Sequence, residues 1–159
     1  MKRLLIALWV AAFVAACGED ALLEKAESGD PAAATDLGER YEAGKDAEGK
    51  DVRPSLSKAV GWYHVAAKSG YARAQYNIGR DKADEAETHR PAANAGVSTA
   101  KKFFNDYYGA AAEWYVKAAD QGYADAQHAL AVIYFYGRGV KQDLAVAEEW
   151  AGKAAAQGK

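Results

Sequence analysis

Few residues in this chain have the chemistry that catalysis or metal binding needs. There are three His and one Cys in 159 residues. His64, His89 and His128 fall in separate segments, and no two stand at a metal-ligand spacing such as one helical turn. A lone Cys excludes an internal disulfide and any zinc site built from several thiolates. Ser55, Ser57, Ser69 and Ser98 lie where helices are expected to start or stop, so capping explains them better than nucleophilic catalysis. Glu148-Glu149 reads as a solvated helix face. Gly137-Arg138-Gly139 lacks the strand-to-helix context of a phosphate loop and reads as a tight turn between helices. No cofactor or metal is expected, and the chain is not expected to be an enzyme. The net charge of −2 gives no basic footprint, so nucleic acid is not an expected partner.

Cys17 is the residue whose neighbours give it a use. Lys2 and Arg3 precede an apolar run from Leu4 to Val14, eleven residues long and too short to span a bilayer as a helix. Small residues then lead to the Cys in Val14-Ala15-Ala16-Cys17. This segment resembles the bacterial lipobox, which implies removal of residues 1–16, acylation of Cys17 and a mature chain spanning 17–159. An ordinary secretory signal that leaves a free Cys is the alternative. Gly18 stands where enterobacterial lipoproteins carry the Asp that retains them at the inner membrane. The expected location is therefore the cell envelope, facing the periplasm through an acyl anchor, at the outer membrane rather than the inner.

The rest of the chain supplies the elements. Half of it is apolar and 26% is charged, which excludes wholesale disorder. Three segments align on Trp: 55–70, 107–122 and 143–158, with Trp62, Trp114 and Trp150 equivalent. Ala59, Ala111 and Ala147 stand three residues before each Trp. Ala66-Ala67, Ala118-Ala119 and Ala154-Ala155 follow four and five after it, and Gly70, Gly122 and Gly158 eight after it. Offsets of three and four place the small residues on the Trp face of a helix. The expectation is that Trp fills the space between closely packed helices. A Gly past the last turn reads as a left-handed C-cap. After Gly70 and Gly122 come Tyr71-Ala-Arg-Ala-Gln75 and Tyr123-Ala-Asp-Ala-Gln127, with Asp30-Pro31 opening a weaker first copy. Leu37, Ile78 and Leu130 are equivalent, each followed by a small residue: Gly38, Gly79 and Ala131. A 36-residue unit accounts for all three copies, with insertions of 5 and 16 residues between the helices of the first two. Insertions confined to one edge are what a stacked helix-pair array permits.

The stretch 123–158 resembles a Sel1-like repeat, a relative of the tetratricopeptide repeat. Gly137-Arg138-Gly139-Val140 followed by Asp143 matches that family's interhelix loop, and Trp150 with Ala154-Ala155 its second helix. The likeness extends over about 19–158. It departs at Gly44–Val52, which lengthens the first loop, and in copy two, which lacks Gly-x-Gly-Val. The implied fold is all-α: a right-handed α-solenoid of about three Sel1-like helix pairs, repeats about 30–70, 71–122 and 123–158, preceded by a lone helix at 21–29.

The insertion of copy two, about 84–106, is where function is expected. Its polar first half, with Pro91 and Gly96, reads as a loop. Ser98-Thr99 then reads as an N-cap, from which the second helix begins some two turns early. Phe103, Phe104, Tyr107 and Tyr108 crowd its start. Two readings stand: a partner-binding ridge, with Tyr107 and Tyr108 partly serving the core, or a satellite cluster covered by the loop. A second candidate surface is borrowed from the tetratricopeptide-like architecture. It is the concave face lined by first helices, with Arg73, Asn77, Arg80, His128 and Tyr134. The expected function is a periplasm-facing lipoprotein that binds another protein. The resemblance implies a narrower role, an immunity protein neutralising a toxic effector such as a lipase. An envelope-assembly scaffold is the alternative. A small-ligand or cell-wall-fragment binder, or a weak hydrolase, is the second class, and it would need a closed polar pocket that the sequence does not show.

Overall fold

The computed structural model describes residues 21–159; the leader and Cys17 lie outside the described residues. Seven helices occupy this stretch: α1 (21–27), α2 (Pro31–Glu42), α3 (Leu56–Lys68), α4 (Ala72–Asn94), α5 (Ser98–Ala119), α6 (Ala124–Tyr136) and α7 (Leu144–Ala155). The fold class is all-α, as the repeat pattern predicts. Contacts divide the chain into two compact units, one ending at Ser69 and the other Gly70–Lys159. In the first, α2 packs on α3. In the second, α4 packs on α5, α5 on α6 and α6 on α7.

Local sequence explains most helix ends. Asp30 caps α2 by accepting from the Ala33 amide, and Pro31 takes the first helical position, where its missing N–H costs nothing. Asp143 caps α7 by accepting from the Ala145 and Val146 amides. Gly70, Gly122 and Gly158 follow the second helices with φ of 79°, 85° and 85°, the left-handed region only Gly enters freely.

The Ala positions that share the Trp face are buried as the periodicity requires: Ala59 and Ala66, Ala111 and Ala118, Ala147 and Ala154. The Trp residues themselves correct the sequence expectation. Trp62, Trp114 and Trp150 are only half-buried, and Lys117 and Lys153 lie over the Trp114 and Trp150 rings at 4.0 Å. In copies one and two the residue after the Trp fills the interhelix space. Tyr63 is 1% exposed, and Tyr115 is also buried. Each lies against the Gly of its first helix. A Cβ on Gly38 would stand 2.5 Å from Tyr63 Cε1, and one on Gly79 would stand 2.7 Å from Tyr115 Cδ1. The small residue after Leu37 or Ile78 is therefore the socket for a Tyr ring. In copy three the socket is Ala131 and the ring is gone, replaced by Ala151.

A polar contact repeats as well. Gln121 Nε2 donates to Gln75 Oε1 at 2.8 Å, and Gln157 Nε2 donates to Gln127 Oε1 at 2.9 Å. Gln127 Nε2 donates in turn to the Ala119 carbonyl, so these buried amides are satisfied. Each pair ties the start of a first helix to the end of its second.

Copy two departs from expectation at its insertion. Residues 84–94 are not a loop: α4 runs on to Asn94 with Pro91 inside it, and the turn is only Ala95–Val97. Ala83 and Ala86 recur at helical spacing and pack on the core cluster that holds Tyr108 and Ala112 of α5. Ion pairs one turn apart, Lys82–Glu85 and Arg90–Glu87, support the exposed side. Ser98 is the first helical residue rather than the cap; Val97 holds the cap position without a side-chain hydrogen bond. The insertion is thus a helical hairpin extension, and α5 begins early as expected.

Candidate functional site

The α4–α5 extension carries the aromatic group anticipated from sequence, but its members divide. Tyr108 is buried; its hydroxyl donates to Glu87 Oε1 at 2.5 Å and accepts from Arg138 Nη1 at 3.1 Å. Burial, and then the hydrogen bond to Glu87, push its pKa up to about 12. Phe104 is half-buried on the same core, its ring 4.9 Å from that of Tyr108. Phe103 faces outward at 47% exposure. His89 of α4 packs beside it: the imidazole is 5.2 Å from the Phe103 ring and stacks on Tyr107 at 5.6 Å, 6° from parallel. Beneath, Lys82 Nζ donates to Glu85 Oε2 at 2.8 Å, which holds the Lys82 ammonium above its ordinary pKa and the Glu85 carboxyl below its own. A hydrogen bond to Glu85 likewise raises Tyr107. Phe103 is therefore an exposed ring flanked by half-buried His89 and Tyr107, and Tyr107 also packs on the core cluster. Phe104 and Tyr108 belong to the core.

The second predicted surface is not one surface. Arg73, Asn77 and Arg80 share a stripe of α4, but Asn77 is buried. His128 is exposed on α6. Tyr134, six residues on, is turned away from it and packs on the core cluster. His128 instead lines a groove between α6 and α7 of about 480 Å³, together with Ala131, Phe135, Leu144, Ala147 and Ala151. Sequence reasoning missed this groove. Its signal is Ala151, which stands where copies one and two carry Tyr63 and Tyr115.

Among the described residues no group of His, Cys, Asp and Glu could hold a metal, and no helix is long and apolar enough to cross a membrane. What the arrangement offers is apolar and aromatic contact area.

The sequence matches the Sel1 repeat over residues 31–71, 106–123 and 124–159. It is similar to a solved Sel1 repeat protein from Oxalobacter formigenes: 35% identity over 87% of this chain and 90% of that one, with a TM-score of 0.65. It is also 29% identical, over 89% of its length, to c5321, described as a protective antigen present in uropathogenic Escherichia coli strains displaying an SLR fold. That match spans 33% of c5321, with a TM-score of 0.38. No curated protein matches the chain.

Proposed function

The chain belongs to the Sel1 repeat family of α-solenoid proteins, typically protein–protein interaction modules and generally non-enzymatic scaffolds, and from that premise we propose that it is an envelope lipoprotein whose task is to bind another protein. The leader Met1–Ala16 with Cys17 supports the lipoprotein part, periplasm-facing and preferentially at the outer membrane. Phe103, exposed beside His89 and Tyr107, carries the binding part. A large aromatic exposed at the surface beside further aromatic rings is the kind of residue that dominates an interface.

The narrower role proposed is immunity: the chain neutralises a toxic effector, such as a lipase, that reaches the periplasm. A short solenoid on an acyl anchor can mask such an effector by contact alone. The test is to produce the chain in the periplasm of cells exposed to a toxin encoded beside it. Survival with the wild-type chain, lost with Phe103→Ser, supports immunity. Stable association with envelope-assembly proteins and no protection assigns the chain to a scaffold instead.

A further inference from the structure

We propose that the groove between α6 and α7 is a second binding site, and that its occupant is an amphipathic helix of another protein built like α6 itself. The proposal deepens the protein-binding reading and rests on it.

The repeat register says what covers this face. Ala131, Phe135, Leu144, Ala147, Glu148 and Ala151 line the groove. Their counterparts in copy two are Gly79, Ala83, Tyr108, Ala111, Ala112 and Tyr115. In copy two that face lies under a helix: Tyr108, Ala111, Ala112 and Tyr115 share one buried cluster with Ala126, Leu130 and Ile133 of α6. The groove is the same face one repeat later, and among the described residues nothing lies over it. Phe135, Tyr136 and Leu144 are left 51%, 61% and 58% exposed. The interface type is thus already present once in the molecule, and the groove offers its continuation.

Three differences from copy two define the occupant. Ala151 replaces the Tyr ring, so a large side chain of the occupant has room where Tyr115 sits in the copy before. Ala131 replaces Gly79, whose missing Cβ that ring required. Glu148 replaces Ala112 and makes no hydrogen bond or ion pair among the described residues, so it calls for a Lys or Arg on the incoming helix. The partner helix therefore carries a small residue, an apolar residue four later and another three beyond that, as Ala126, Leu130 and Ile133 do, with a cationic flank. A second copy of this chain offers no free face of this kind among its described residues. Among the described residues its own helix faces of this pattern, Ala33 with Leu37, Ala74 with Ile78, and Ala126 with Leu130, are already buried.

The probe is a stapled helical peptide of the α6 sequence 124–136, with its residues at 128, 135 and 136 replaced by Lys for solubility and charge. It is titrated into the chain from position 17 onward, carrying Cys17→Ser to keep it free of lipid. Saturable binding is expected, with methyl resonances of Ala131, Ala147, Ala151 and Leu144 shifting. The double variant Ala131→Gly/Ala151→Tyr rebuilds the ring and socket of copy two and closes the groove; it should weaken the peptide by about thirtyfold. Leu144→Asn, at a position 58% exposed, should weaken it by about tenfold. Glu148→Lys should weaken it by about threefold at low salt. No saturable binding, or binding indifferent to both the double variant and Leu144→Asn, overturns the proposal. So does a dimer of the chain alone that the double variant abolishes. A groove that fails these tests while a partner complex remains sensitive to Phe103→Ser removes the groove proposal and leaves the protein-binding reading standing.

Discussion

Gly79→Ala should destabilise the protein, although Ala is the better helix former. Inside a helix, Ala gains about 1 kcal/mol over Gly. Here the added methyl would stand 2.7 Å from Cδ1 and Cε1 of Tyr115 and 3.2 Å from Cγ. That ring is buried at 4% exposure, between α4 and α5 and under α6, so it cannot swing aside. Overpacking of a closed core costs about 1–3 kcal/mol, which exceeds the propensity gain and leaves a net loss of about 1 kcal/mol. For a chain of this size that lowers Tm by about 2–4 °C. Tyr115→Ala alone, which empties the socket, should cost about 3–5 kcal/mol. In the double variant Gly79→Ala/Tyr115→Ala the clash is gone and the propensity gain returns. The two changes should therefore fall short of additive by about 1–3 kcal/mol, recreating the Ala131–Ala151 pair that copy three uses. Urea unfolding followed by circular dichroism measures all three variants. Gly152→Ala serves as the control, because that helical Gly in α7 has nothing within 4 Å; it should stabilise by up to about 1 kcal/mol. The reasoning fails if Gly79→Ala stabilises as Gly152→Ala does, or if the double variant is strictly additive.

Further outcomes follow from the same packing. Phe103→Ser should leave stability within about 0.5 kcal/mol of wild type yet weaken the partner complex by more than about 2 kcal/mol. Phe104→Ser should instead lower Tm; the opposite ranking in thermal melts and binding assays would reverse their assigned roles. Trp114→Ala should cost less than Tyr115→Ala in the same urea unfolding, since Trp114 is half-buried. Tyr108 is held neutral by burial and by Glu87 up to about pH 12, whereas an unfolded Tyr ionises near its ordinary value of 10.0. Its contribution is therefore complete below pH 10 and lost as pH rises from about 10 to about 12. Absorbance of the tyrosinate should show this group ionising late, and an ordinary titration would mean that Tyr108 is not buried in solution. Cys17→Ser should abolish labelling by fatty acid and release the protein from the membrane fraction; continued labelling would refute the lipoprotein reading.

The repeat was legible because stacking helix pairs imposes one spacing on every copy. Left-handed Gly in the turn after each second helix, Asp30 and Asp143 at the N-caps, and Ala three before and four after each Trp are local requirements, so they stand in the sequence at fixed offsets. The same offsets misled at two places. Trp is the most recognisable residue of the unit and its spacing points to the core, yet the adjacent Tyr63 and Tyr115 hold it. Neighbours on a helix differ by about 100° in direction, and only the partner helix, through the hollow at Gly38 or Gly79, decides which of the two faces inward. Polar residues and Pro91 read as a loop where α4 continues, because the Ala83 and Ala86 contacts that stabilise the extension lie across the hairpin on α5.

The sequence by itself determined the helix pairs, the caps at Asp30, Ser55 and Asp143, the number of pairs and the place of the insertion, all set by contacts within a turn or by the repeat's own arithmetic. Only the tertiary structure decided which aromatics are exposed. It separated Phe103 from Phe104 and His128 from Tyr134, and it showed that the pairing of Ala131 with Ala151 opens a groove. Exposure and cavities are properties of what lies opposite a residue in space, and for these positions that is another helix tens of residues away along the chain.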